Sequence, residues 1–149
     1  MEIKIKKIFA NATMPTRGSE YAAGYDLYAA PVLQEGDHSI IIEPHTTEKI
    51  GTGIAVQCPT GTFGAIFARS GLATKQGLRP ANCVGVVDED YTGEVIVAIH
   101  NDTDQPKEIN YNERIAQIVF IPYISGELVE IEELEKTNRG DSGFGSTGK

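Results

Sequence analysis

The chain has 149 residues, with 13 Lys and Arg against 21 Asp and Glu, and its formal charge of −8 excludes bulk nucleic-acid binding; any phosphate site must be a local cluster of arginines and backbone amides. A chain of this length predicts one domain that buries about 68–70% of the surface its unfolded form exposes, so no covalent or metal staple is needed. Cys58 and Cys83 read as reduced thiols without metal-ligand spacing, and His38, His45 and His100 form no zinc pattern.

Met1 leads into the alternating Glu2-Ile3-Lys4-Ile5-Lys6-Lys7, with no apolar run long enough for a signal peptide or membrane span. That predicts a soluble, cytoplasmic protein that uses neither membrane nor nucleic acid as a partner. The hydrophobic period is two through Ile3–Ile5, Ser39–Ile42, Thr62–Phe67, Glu94–Ile99 and Ile115–Phe120. These read as short strands of an all-β sandwich or barrel. Leu72–Gln76 reads as a helical turn, and Glu127–Lys136 fits helix or strand equally.

Where the third of those strands ends, Ala68-Arg69-Ser70-Gly71-Leu72 offers a fixed charge, a hydroxyl and a glycine that lets an anion approach the backbone. An ordinary surface turn would look the same. Between Asn82 and Ile96, two apolar runs flank Asp88-Glu89-Asp90-Tyr91, which predicts a hairpin with three acids at its bend. Such acids either keep an edge solvated or do carboxylate chemistry. Past residue 137 the composition changes, giving a domain of residues 1–137 and a glycine-rich arm of residues 138–149. Ordering so many glycines costs about 1–2 kcal/mol per residue, so the arm is expected to be flexible until a ligand holds it. Its side chains suggest a nucleotide: Phe144 can stack on a flat base, and Arg139 with Gly145-Ser146-Thr147 can bind phosphate.

In chain order, Ala22-Ala23-Gly24-Tyr25-Asp26-Leu27-Tyr28-Ala29-Ala30, the Arg69-Ser70-Gly71 turn, the Asn82–Ile96 segment, Arg114-Ile115-Ala116-Gln117 and the arm resemble the five motifs of the deoxyuridine triphosphatases, or dUTPases. The resemblance spans nearly the whole chain. It implies a jelly-roll-like β-barrel with a flexible C-terminal arm, working as a homotrimer whose active sites are each shared between subunits. It also implies hydrolysis of dUTP to dUMP and pyrophosphate with Mg²⁺, which limits uracil in DNA and supplies dUMP for thymidylate synthesis.

Matched residue by residue, the resemblance makes Asp88 the carboxylate that activates the water attacking the α-phosphorus. Tyr91 becomes the ring beneath the deoxyribose, leaving no space for a 2′-hydroxyl, although a cross-strand packing role would suit it too. Asn82 and the backbone around Val86, Val87 and Ile96 match the slot that pairs with uracil, while Arg69, Ser70, Gly71 and Gln117 match the phosphate network. Asp26 matches a supporting aspartate, and Arg139, Phe144, Gly145, Ser146 and Thr147 match the closing arm. Mg²⁺ is implied to be held through the triphosphate and waters, with no protein ligand. Ser142 and Thr92 depart from the usual pattern and bear only on the path of the arm and the bend. A dCTP deaminase shares the fold but lacks this Gly71. A regulatory role through binding a repressor protein, as in some phage members, stays open from sequence.

Overall fold

The computed structural model describes residues 2–31, 39–138 and 140. Its strands are β1 (Lys4–Lys7), β2 (Thr16–Arg17), β3 (Tyr25–Tyr28), β4 (Ser39–Ile42), β5 (Thr47–Gln57), β6 (Thr62–Phe67), β7 (Leu78–Pro80), β8 (Gly85–Val87), β9 (Glu94–Asn101), β10 (Lys107–Asn110) and β11 (Arg114–Pro122). A single helical turn, Leu72–Gln76, joins β6 to β7. The strands form a four-stranded sheet in the order β1-β5-β9-β7, a five-stranded sheet in the order β2-β3-β11-β6-β8, and the ribbon β10-β4. Every pairing is antiparallel.

One core draws on all three sheets. Ile50, Ile54, Val95, Val97 and Ile99 enter it from the first, Leu27, Ile66, Ile115 and Ile118 from the second, and Ile42 and Ile109 from the ribbon. Burying each such side chain stabilises the fold by roughly 1.5–3 kcal/mol, which fixes the register because a slip by one residue would turn the apolar set outward. On β9, Val95, Val97 and Ile99 point inward, leaving Ile96 about half exposed.

Where the period of two is clean, strand and sequence expectation coincide at Ser39–Ile42 and Thr62–Phe67 and overlap at β1, β9 and β11. The helical turn also lies where the sequence put it. The long β5 escapes that rule. Its pairing with β9 shifts register between Gly51 and Ala55, and Gly53 takes φ +66, so no simple alternation survives across it. A Cβ at Gly53 would stand 2.7 Å from the Ala12 Cβ and 3.1 Å from the Phe9 ring, so glycine is required both for its backbone and for space. Glu127–Lys136 resolves as neither helix nor strand, and Leu128, Val129, Ile131 and Leu134 are exposed there.

Cys58 is buried and Cys83 exposed, both as free thiols. Burial pushes the Cys58 thiol up from its ordinary range, which makes it a poor nucleophile. The principal buried polar anchor is Asn101. Its amide nitrogen donates to the carbonyls of Ile42 (3.0 Å), Glu43 (3.3 Å) and Gln105 (2.8 Å), and its oxygen accepts from the Thr103 amide at 2.9 Å. This ties the end of β9 to the end of β4 with every polar atom satisfied. Asn101→Ala orphans several carbonyls, so it is expected to destabilise the protein by about 2–4 kcal/mol. The measurement is the melting temperature at fixed protein concentration; an unchanged value would show that water replaces the amide without loss.

Candidate active site

The residues singled out in the sequence fall into two groups on the surface. The first lies where β3, β11 and the end of β6 run side by side. Asp26 on β3 faces Gln117 on β11, and Gln117 faces Phe67 at the end of β6, so the next turn carries Arg69 into the same place. The Asp26 carboxylate accepts from Arg69 Nε at 2.8 Å and from Arg114 Nη1 at 3.4 Å, while its side chain is only 14% exposed. Two guanidiniums thus share one half-buried carboxylate, which leaves a net positive charge locally in an acidic protein. Gln117 is held by its amide nitrogen, which donates to the Ala68 carbonyl at 3.0 Å, and a Cβ at Gly24 would run into its amide oxygen.

Ser70 and Gly71 follow at the start of the helical turn, both exposed, and the space beside Gly71 is open. Thr74 Oγ1 donates to the Ser70 carbonyl at 2.6 Å and fixes the turn. Arg69, Ser70, Gly71, Asp26, Arg114 and Gln117 line one cavity of about 260 Å³. The sequence motif holds Arg114 without giving it a role. Only the pairing of β11 with β3, with its register shift between Arg114 and Ala116, reveals that it shares Asp26 with Arg69.

The second group surrounds the segment that joins β8 to β9. The structure corrects the hairpin here: β8 pairs with β6, whereas β9 pairs with β5 and β7, so the two apolar runs belong to different sheets. Val87 enters the core from one layer and Val95 from the other, an arrangement a single hairpin ladder cannot supply. The gap between the strands is a slot of about 160 Å³, whose walls include Asn82, Val86, Val87, Tyr91 and Ile96. Val86 is 60% and Ile96 48% exposed, so both present apolar surface to it. Gly85 keeps the slot narrow, since a Cβ there would stand 3.1 Å from the Ile66 Cβ and 3.3 Å from the Asn82 amide nitrogen.

Tyr91 closes one end of this slot. Its amide donates to the Asp88 carbonyl at 3.2 Å and its hydroxyl to the Glu94 carbonyl at 2.9 Å. The ring lies so close over Gly93 that a Cβ there would stand 2.6 Å from the hydroxyl oxygen. The carboxylate of Glu94 reaches the other way and accepts from the Gly53 amide at 2.8 Å, so the bend is braced against the bulge of β5. Asp88 is exposed and lines a separate, open cavity of about 690 Å³ that also contains Val86, Phe63, Glu89 and Tyr123. Val86 is common to this cavity and to the slot, and Asp88 follows directly on Val87, the last residue of β8.

None of the arginine group lines either of these two cavities. Arg139, Phe144, Gly145, Ser146 and Thr147 lie outside the described residues. Among the described residues no cluster of three or more His, Cys, Asp or Glu side chains is arranged to hold a metal, and no helix is long and apolar enough to cross a membrane.

Known proteins repeat both the sequence and the fold. The deoxyuridine 5′-triphosphate nucleotidohydrolase of Nautilia profundicola is 42% identical over 149 residues, covering 100% of each chain. The dUTPase of Staphylococcus bacteriophage 80alpha, solved with dUPNHPP and described as controlling transfer of virulence genes, superposes with a TM-score of 0.87 at 30% identity over 99% of each chain. A point mutant of the dUTPase from phage phi11 of S. aureus, whose structure concerns the coordination of a structural Mg(II) ion, gives a TM-score of 0.80 at 25% identity over 91% of this chain and 100% of that one. The sequence pattern of the dUTPases matches residues 10–148, and the chain belongs to that family.

Proposed function

We propose that this protein hydrolyses dUTP to dUMP and pyrophosphate at a site made of the two groups just described. The observation that carries the reading is the division of labour between them: a slot of about 160 Å³ between β8 and β9, with the exposed Asp88 directly after Val87 of its wall, and a separate arginine cluster suited to a triphosphate. Uracil would enter between β8 and β9, pairing with Asn82 and the backbone around Val86, Val87 and Ile96. A narrow polar slot rejects cytosine because wrong partners leave buried groups unpaired, and rejects thymine by the bulk of its methyl. The Tyr91 ring, fixed by its hydrogen bond to Glu94, would lie under the deoxyribose and occupy the space a 2′-hydroxyl needs.

Asp88 would accept a proton from a water molecule as that water's oxygen attacks the α-phosphorus. The bond from the α-phosphorus to the bridging oxygen breaks, and pyrophosphate leaves with the electron pair. Arg69, Ser70, Gly71 and Gln117 would bind the phosphate chain, with Arg114 completing the charge and Asp26 aiming both guanidiniums. An arginine cluster attracts the triphosphate and not a bare cation, so the donor set fits Mg²⁺ carried on triphosphate oxygens and water, where it would neutralise charge developing on the phosphates.

The resemblance to the dUTPases implies a homotrimer with active sites shared between subunits, and the placing of the slot and the arginine cluster in different cavities of one chain is compatible with it. Residues 138–149 would close over the bound nucleotide, with Phe144 on the base and Arg139, Gly145, Ser146 and Thr147 on the phosphates. The proposed setting is the cytoplasm, where the reaction limits uracil in DNA and supplies dUMP.

Three outcomes are expected. Asp88→Asn lowers kcat for dUTP by about a hundredfold or more while KM and melting temperature hold, the usual size of general-base help; near-native turnover, with Asp90→Asn as the comparison, would remove Asp88 from the mechanism. Tyr91→Ala raises the rate on UTP relative to dUTP, because lost exclusion changes differential transition-state binding; an unchanged ratio in an intact oligomer would put sugar selection elsewhere. Deleting residues 139–149 nearly abolishes turnover with saturating dUTP and Mg²⁺ and leaves the melting temperature within about 2 °C, since terminal segments outside a core add little stability. A truncated enzyme of full activity would rule out closure by the arm.

A further inference from the structure

Of the three acids in the bend, Glu89 alone is half-buried, while Asp88 and Asp90 are exposed. A single oxygen of its carboxylate, Oε2, accepts from the Gly61 amide at 2.8 Å and from the Tyr123 hydroxyl at 3.2 Å. Gly61 belongs to the turn between β5 and β6, where it takes φ +76, a conformation that needs glycine. That turn is itself fixed, with Thr62 Oγ1 donating to the Pro59 carbonyl at 2.7 Å and the Thr62 amide to the same oxygen at 3.0 Å. The circuit closes through the backbone: the Tyr123 amide donates to the Gly61 carbonyl at 3.2 Å. Tyr123 is the first residue after β11, at the root of the segment that leads toward the C-terminus.

Three segments far apart in the chain therefore meet at one carboxylate oxygen. These are the bend beside Asp88, the tight turn before β6, and the exit from β11. The hydrogen bond to Glu89 and the charge of its carboxylate push the Tyr123 phenol up from its ordinary range, in keeping with the hydroxyl as the donor of this pair. Among the described residues, the other side-chain bond from that turn toward the bend is the weak one from Cys58 Sγ to the Val87 carbonyl, at 3.6 Å, and it does not reach Tyr123.

We infer that Glu89 is a positioning residue for the hydrolysis: by accepting from Gly61 and Tyr123 together, it sets where the neighbouring Asp88 carboxylate stands and where the C-terminal segment departs. The inference rests on the reading of Asp88 as the base. What matters is the acceptor geometry and not the charge, because one oxygen takes both hydrogen bonds and a glutamine amide oxygen can do the same. Displacing a reacting group by about an ångström is enough to cost a large part of its rate advantage, whereas ground-state nucleotide contacts made elsewhere are spared.

The test is steady-state hydrolysis of dUTP by the full chain and its variants, with melting temperatures alongside. Glu89→Ala is expected to lower kcat by about tenfold with KM changed less than about twofold, and Glu89→Gln to retain at least about half of the native kcat. Tyr123→Phe, which removes one donor without disturbing the turn, is expected to lower kcat about threefold at unchanged melting temperature. Should Glu89→Ala melt below the assay temperature, the Tyr123→Phe result decides alone. Native kcat in Glu89→Ala or in a well-folded Tyr123→Phe overturns the inference. So does an equal loss in Glu89→Gln and Glu89→Ala, which would assign the effect to charge. Asp88→Asn run in the same series keeps the two readings apart: if it stays active, the base assignment fails; if it is inactive while Glu89→Ala is native, only the positioning role fails.

Discussion

Strands β8 and β9 send alternate side chains into one core from two different sheets, and the site depends on that split. Gly85 and Val87 face inward on β8, as Val95 and Val97 do on β9, so the residues between them must face out. Val86 and Ile96 are outward because their neighbours are core. The slot between the strands is thus held open by burial on both sides, and closing it would require pulling aliphatic side chains worth roughly 1.5–3 kcal/mol each out of the interior. A cleft made this way is pre-formed and stiff.

The arginine cluster follows a different logic. A protein of charge −8 repels a triphosphate at long range, so attraction has to be concentrated. Asp26 does this at short range by holding Arg69 and Arg114, which come from separate parts of the sheet. One carboxylate cannot neutralise two guanidiniums, and both retain unused donors beside the cavity. The pair of contacts is partly solvent-screened, so its value lies in aiming the arginines more than in stability.

Elements whose period is unbroken were legible in the sequence: β4, β6 and the helical turn, along with the motifs that carry Asp88, Arg69 and Gln117. What was not legible depends on pairing between distant segments. The run before and after Asp88 looked like a hairpin because local pattern cannot say which strand a strand pairs with, and β8 chose β6. The strand β5 was hidden by its bulge, and Arg114 gained its place only from the register of β11 on β3. Glu89 read as one of three interchangeable turn acids, since the partners that distinguish it lie 28 and 34 positions away.

The brace at Gly53 has a consequence for how this sequence can change over time. Glu94 uses its carboxylate to hold the left-handed Gly53 and its backbone carbonyl to hold the Tyr91 hydroxyl, so a bulge in β5 and the aromatic ring beside the slot share one intermediary. Residues 53 and 91 are therefore linked physically through Glu94. A substitution at Gly53, distant from the chemistry and without any reactive group, displaces the side chain that orders the bend, and a change at Glu94 loosens bulge and ring together. Mutational freedom at this bulge of β5 is tied to the order of the Tyr91 bend as well as to the fold.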